Sequence, residues 1–532
     1  MKILRNGSYA LCIMMFVCLL TAYEVVAAQD GRFVCGGSVE TEVWTLWDTN
    51  VRDFFKQRFL EDRLLKQGDV YALYDFQTYT HNMVSMARRC NRTARLMEVA
   101  RMINTAYRAL ERGGQSSPGR RWVCRGGSTC NEKNRLLNQE VMLDSVQFLG
   151  LASSVANALA TSGTPLGDED KIFIKDTVQI VVEHLVRWGD GAALSEISKL
   201  VAATPQDVKN GSSALFFTDK PLWMITIYAE LAGILNAQER WRATDPSLNK
   251  VFTEVIGILR SQGRQQLGFD GLTDENKARL RLHLSTLLQF FSARISIQRN
   301  ANSRMGNVDL ADLDRGYWRL FPGNEYAGYE GEPKPVVCSR SKDGKTKVTT
   351  DVRVSADAVP KRQDIGWDIS HARRLVHALD ALERNRDAMK DKFSLNDGQL
   401  PSIGLPSAFA NTLVAVVWNG DTTKPLFSNY WSGANGWYRV EYDDRTGQCR
   451  EGYPPYGLTD SFPTGGYSTW ARYRPVIGAL GQRLYDLISA PDGASSPFIA
   501  KYYPSLSKSA NVQSKKATKF MFLPSLVGVV KE

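Results

Sequence analysis

Over most of its first three hundred residues the chain repeats apolar positions three and four apart, the spacing that lines one face of an α-helix. Residues 41–65 predict the first helix, which carries Val43, Trp44, Leu46, Trp47, Phe54, Phe55 and Leu60. These positions are too crowded for one apolar stripe, so at least two faces of this helix are covered. Asp69 stands where a carboxylate caps a helix beginning near Val70, and the helical pattern continues to Glu111. A break near Cys90 and Asn91 makes that run a helical hairpin, and 113–128 is a basic, glycine-rich loop. Further helices are predicted over 131–161, 168–188, 192–201, 220–237, 248–260 and 275–297, separated by breaker residues such as Gly163, Pro165, Pro205, Pro246 and Gly268. Helix pairs succeed one another with few alternating β-branched runs. The pattern predicts an all-α array closing on itself, with no central α/β sheet.

The rhythm stops at Asn300. Residues 300–363 are rich in Gly, Pro and charge, with Tyr317, Trp318, Tyr326 and Tyr329 spread among them. An interruption of this length is a functional loop or a small subdomain. Within it, 347–350 and 352–354 read as the two arms of a short hairpin. The helical pattern returns at Trp367 with the sequence WDISHARRLVHAL, which holds two of the five histidines of the chain. Asp368, His371 and Arg374 are spaced three apart and share one helix face. Leu375 and Leu379 lie beside them as anchors to a core. A helix over 406–418 leads into the aromatic loop LFSNYWSGANGWYRVEYDD, and a last strong helix covers 469–489. The final forty residues read as peripheral, with 520–530 packing back as a strand or short helix.

Composition adds a compartment. Lys2 and Arg5 precede an apolar run that ends at the small residues Ala27 and Ala28, the pattern of a signal peptide over 1–28. The apolar run is too short for a membrane span, which needs about 20 residues. The mature chain is expected to be secreted or periplasmic and to start near Gln29, with its main domain over 29–490 and a tail over 491–532 packing on that domain. The six cysteines beyond the signal are an even number, which suits disulfides in an exported chain. Cys124 and Cys130 are close enough to close a local loop. Cys35 with Cys90 and Cys338 with Cys449 are one pairing among fifteen. The formal net charge of +10 is spread along the chain without a basic block. That balance suits an acidic polymer better than a nucleic acid.

Three clusters could carry chemistry. Asp75, Gln77, Tyr79, His81 and Asn82 lie in one helical stretch, where they form either a site or an ordinary polar face. Asp368 is either a helix N-cap or the orienting partner of His371. Asn429, Trp431, Asn435, Trp437, Tyr438 and Arg439 interleave rings with amides and a cation, as a sugar site does, or wedge the loop between helices. Tyr467 and Trp470 continue either surface. Nucleotide, serine-hydrolase and zinc-protease fingerprints are absent, and no residue pattern calls for a metal or other cofactor.

The order of these pieces resembles exported six-hairpin α/α-toroid proteins related to polysaccharide lyases, uronate epimerases and glycosidases. The matching residues are Asp368-Ile-Ser-His371, the loop from Phe427 and Asn429 to Trp437, and Trp470-Ala-Arg-Tyr473-Arg-Pro475. The resemblance implies an α/α-toroid, complete or incomplete, with aromatic loop insertions and a cleft at one end for an anionic polysaccharide. In the lyase and epimerase branch it implies His371 as the base, with His81 or Tyr438 as the alternate acid or base. Asp368 would orient His371, while Arg374, Asn429 and Arg439 would neutralise a uronate carboxylate. Trp431, Asn435, Trp437, Trp470 and Tyr79 would line the substrate. The glycosidase branch would need a carboxyl pair, for which Asp368 with Asp48, Asp75 or Asp443 are the candidates. A glycan-binding or envelope-assembly protein on the same scaffold would keep the aromatic residues and tolerate loss of the histidine.

Overall fold

The computed structural model describes residues 33–530 apart from 114–118, 128, 132–134, 211–214, 245–272, 323–324, 331–333, 336, 341–347, 352–360, 441–450, 492–495 and 508–510. The expected signal peptide, the helix over 248–260 and Cys449 therefore lie outside the described residues. The first helix, α1, is Ser38–Leu46, and it runs on through Trp47–Val51, Arg52–Phe55 and Lys56–Lys66 with π-helical turns. Trp47, Val51, Phe55 and Leu60 are all fully buried along it, as the crowding of apolar positions predicted.

The expected hairpin follows as α2 (Tyr71–Arg89) and α3 (Thr93–Tyr107). Asn91 turns the chain in the left-handed region, at φ 53°, which asparagine tolerates better than most residues. Disulfides join Cys35 to Cys90 and Cys124 to Cys130. The first ties the coil before α1 to the end of α2. Then come α4 (Met142–Thr161), α5 (Asp168–Trp188), α6 (Gly191–Ala202), α7 (Asp219–Thr244) and α8 (Asp274–Arg294). α4 is buried on every side from Asp144 to Ala160, so it has no polar stripe to show. Gly150 lets it meet α7 closely, because a Cβ there would sit 2.5 Å from Trp223.

α8 stops at Arg294 instead of reaching residue 297. The side chain of Arg294 is buried, paired to Asp314 at 2.8 Å and donating to the carbonyls of Leu200 and Leu215. The chain beyond this anchor becomes β3 (Ile295–Ser303) and pairs antiparallel with β4 (Gly306–Leu313), as the short β1 (Glu111–Arg112) and β2 (Arg120–Arg121) do earlier. Of the expected hairpin, residues 347 and 352–354 lie outside the described residues, and β6 (Val348–Asp351) pairs with β5 (Val337–Arg340).

After the insertion come α9 (Ile369–Ala372), α10 (Arg374–Arg384), α11 (Arg386–Phe393), α12 (Leu405–Thr412) and α13 (Pro475–Ser489). The last helix, α14 (Val512–Phe522), continues as a 3-10 segment, Leu523–Val529. This stretch packs back as a short helix, as expected, but it enters the core and is not peripheral. Phe520, Phe522, Leu523 and Val527 are fully buried, and Trp47 stacks on Phe520. Contacts run in a circuit from α2 through α4, α7 and α10 to the segment Tyr467–Arg472, then through Leu523–Val529 back to α2. Among the described residues the architecture is mostly helical, and no helix is long and apolar enough to cross a membrane.

Candidate functional site

Asp368 has extended backbone and caps α9, its Oδ1 accepting the amides of Ser370 at 2.8 Å and His371 at 3.1 Å. Its Oδ2 accepts a hydrogen bond from His371 Nδ1 at 2.5 Å. The capping and orienting roles are therefore performed by one carboxylate, each through its own oxygen. Burial by itself would raise the pKa of Asp368. The charge and hydrogen bond of His371, together with Ser370, outweigh it and hold the group well below the usual carboxylate range. Asp368 takes its hydrogen bond from Nδ1, so the lone pair of a neutral His371 ring would lie on Nε2. That nitrogen makes no hydrogen bond among the described residues.

Aromatic residues surround the imidazole. Trp318, Tyr326 and Trp367 meet it edge to face, with ring centroids 5.0, 5.2 and 6.2 Å away. The Tyr438 hydroxyl lies 3.5 Å from Nδ1, a contact at the outer limit of hydrogen bonding. Burial pushes the Tyr438 phenol well above its ordinary pKa, so it stays protonated. Arg439 follows in the left-handed region at φ 55°, a strained conformation for arginine. Its guanidinium lies over the rings of Tyr326 and Tyr438 and donates to Glu325 at 3.2 Å.

Asp368, His371, Tyr438 and Arg439 thus converge, and the insertion adds Trp318, Tyr326 and Glu325. The density of aromatic residues in the insertion was the only sequence signal for those three. Other expected site residues go elsewhere. Arg374 is spent on Asp219 at 3.0 Å, Tyr74 at 2.8 Å and the Ser370 carbonyl at 2.6 Å. Asn429 is fully buried, donating to the Gly436 and Pro454 carbonyls and accepting the Leu458 amide. It stitches the aromatic loop together and offers no amide to a ligand. Trp431 and Trp470 are core rings against Tyr467, with Trp431 Nε1 donating to the Ala311 carbonyl. Tyr79 packs on Phe55 and Phe59. His81 lies apart from His371, stacked on His377 at 3.7 Å.

Asn435 and Trp437 line a separate cavity of about 990 Å³ with Arg362, Tyr456, Lys501 and Tyr502. Trp437 exchanges backbone hydrogen bonds with Tyr329, and Tyr438 does so with Tyr453. Successive side chains of such an extended segment point to opposite sides. Trp437 accordingly faces the cavity and Tyr438 faces His371.

Two of the three carboxyl partners considered for Asp368 are engaged elsewhere. Asp48 pairs with Arg95 and Asp75 with Arg63, while Asp443 lies outside the described residues. Among the described residues the one cluster with metal-ligand spacing is Cys35, Glu40 and Cys90, whose two sulfurs are already bonded to each other. No family model, curated protein or solved structure matches this chain.

Proposed function

We propose that this is an exported α/α-toroid enzyme that cleaves an acidic, uronate-containing glycan by β-elimination. The Asp368–His371 couple carries the reading, because it supplies an imidazole oriented by a carboxylate, with an uncommitted Nε2. Nε2 takes the proton at C5 of the uronate. The electron pair left behind forms the C4=C5 double bond as the C4–O bond breaks. The Tyr438 hydroxyl gives its proton to the departing oxygen, and Arg439 stabilises the charge that develops on the uronate carboxylate. The two disulfides fit an oxidising compartment.

Incubation with uronate polymers is expected to raise ultraviolet absorbance from the new double bond. C5 hydrogen exchange without that absorbance would indicate an epimerase; neither signal on any uronate polymer would refute the proposal. The cavity beside Trp437 favours a second reading, a glycan-binding protein that performs no chemistry. In that case Trp437→Ala weakens retention on a polysaccharide column and His371→Ala does not.

A further inference from the structure

Arg439, the cation proposed to stabilise a uronate carboxylate, already holds the carboxylate of Glu325. Its Nη2 donates to Glu325 Oε1 at 3.2 Å and to the Tyr326 hydroxyl at 3.4 Å. The pair stands nearer to solvent than the couple behind it. The Glu325 and Arg439 side chains are 18% and 29% exposed, against 12% for His371 and 0% for Asp368. A solute can therefore reach this ion pair without any part of the core opening.

The two partners differ in how firmly they are held. The Arg439 guanidinium lies over the rings of Tyr326 and Tyr438, on a backbone already committed to the left-handed region. The residue after Glu325, Tyr326, is wedged against Trp318 and Phe321, with ring centroids 4.3 and 4.5 Å away. Its carbonyl also accepts the Tyr430 hydroxyl at 3.0 Å. Glu325 thus reaches Arg439 from a fixed base, and rotation about its own side-chain bonds is enough to release the cation. Ion pairs this open to water are weak, so another carboxylate can exchange with Glu325. A guanidinium binds either carboxylate through the same donors.

We infer that Glu325 is a built-in competitor for the substrate carboxylate, holding Arg439 until a uronate takes its place. The inference rests on the reading of Arg439 as the partner of that carboxylate. In this role Glu325 lowers the apparent affinity for the acidic glycan by the fraction of molecules in which it occupies Arg439. It is a positioning residue that acts through Arg439 and takes no part in the chemistry.

The test is calorimetric titration of the full chain with D-glucuronate, with D-glucose as the control. Glu325→Gln removes the competing charge and should tighten glucuronate about fivefold, the factor that corresponds to an ion pair of about 1 kcal/mol. Glu325→Asp keeps the charge but is one methylene shorter, which breaks the contact with Arg439, so it should tighten binding too. Arg439→Gln should abolish the preference for glucuronate over glucose. On a uronate polymer that the parent cleaves, Glu325→Gln should lower KM and leave kcat nearly unchanged, a split that a merely structural glutamate would not produce. The titration needs no turnover. Tighter binding by Glu325→Gln without any new ultraviolet absorbance would therefore count against β-elimination and leave this inference standing. Weaker or unchanged binding by Glu325→Gln, a gain in the Gln variant with none in the Asp variant, or no binding by the parent and Glu325→Gln chains would overturn it.

Discussion

His371 and the His81–His377 pair place imidazoles in the same helical interior by opposite means. His371 has a carboxylate at 2.5 Å, and its ring is edged by aromatic residues. Among the described residues His81 and His377 make no hydrogen bond to a carboxylate, although the charge of Asp380 reaches both. They stack on each other nearly parallel, with Trp223 beyond His81. Burial, the largest cause, keeps this pair neutral against the pull of Asp380, helped by the charge of His377 at His81 and of Arg373 at His377, and His377 is pushed down to about 4. A carboxylate partner therefore makes a histidine useful for moving a proton, whereas desolvation alone makes it a neutral hydrogen-bonding plate.

The contrast breaks most sharply at His371. His371→Ala is expected to reduce turnover by about 10²–10⁴-fold, the usual range for a general base. Its melting temperature should stay within a few degrees of the parent. A large fall in melting temperature would make His371 a packing residue instead. Asp368→Asn comes next, because it removes the anion that fixes the tautomer. Turnover should fall by at least tenfold, and loss of the cap should cost about 1 kcal/mol in a denaturant melt. A variant with full activity would remove Asp368 from the chemistry.

The third prediction concerns pH. The unfolded chain protonates His81 and His377 near pH 6.5, and the folded chain resists until well below that. The unfolded state thus binds more protons as pH falls, so stability is complete above about 6.5 and is lost on the way down towards about 4. The slope is at most about 1.4 kcal/mol per pH unit for each histidine. His184, pushed down to about 3, and His283, to about 4, by burial add to the same trend. His377→Asn should flatten part of the slope in melts at several pH values. The smallest effect is expected at the cavity rim, where Trp437→Ala should weaken glycan retention a few-fold without changing turnover at saturation.

Helices were legible in the sequence because burial repeats with their own period, and Asp368-x-x-His371 was legible because a cap and a helix face are local geometry. The aromatic loop was not. Trp431 and Trp437 are six residues apart in irregular backbone, where no period separates a ring packed on Tyr467 from one at the wall of the cavity of about 990 Å³. Arg374 was misassigned because its partner, Asp219, lies on a distant helix. The hydrogen bond between the buried amides of Gln77 and Gln147 joins residues seventy apart, beyond any spacing rule.

The hydrogen bond from Asn82 to the Met521 carbonyl spans 439 residues. Asn82 also lines a small cavity with Gln147 and His377, so this part of the helical interior stays incomplete until residue 521 is in place. Closing so long a loop is entropically costly and among the slower steps of folding. The circuit of helices thus has a seam at residues 512–529, and the chain is exposed to proteases and chaperones until that seam shuts. A truncation before α14 would be felt first at α2, at the opposite end of the sequence.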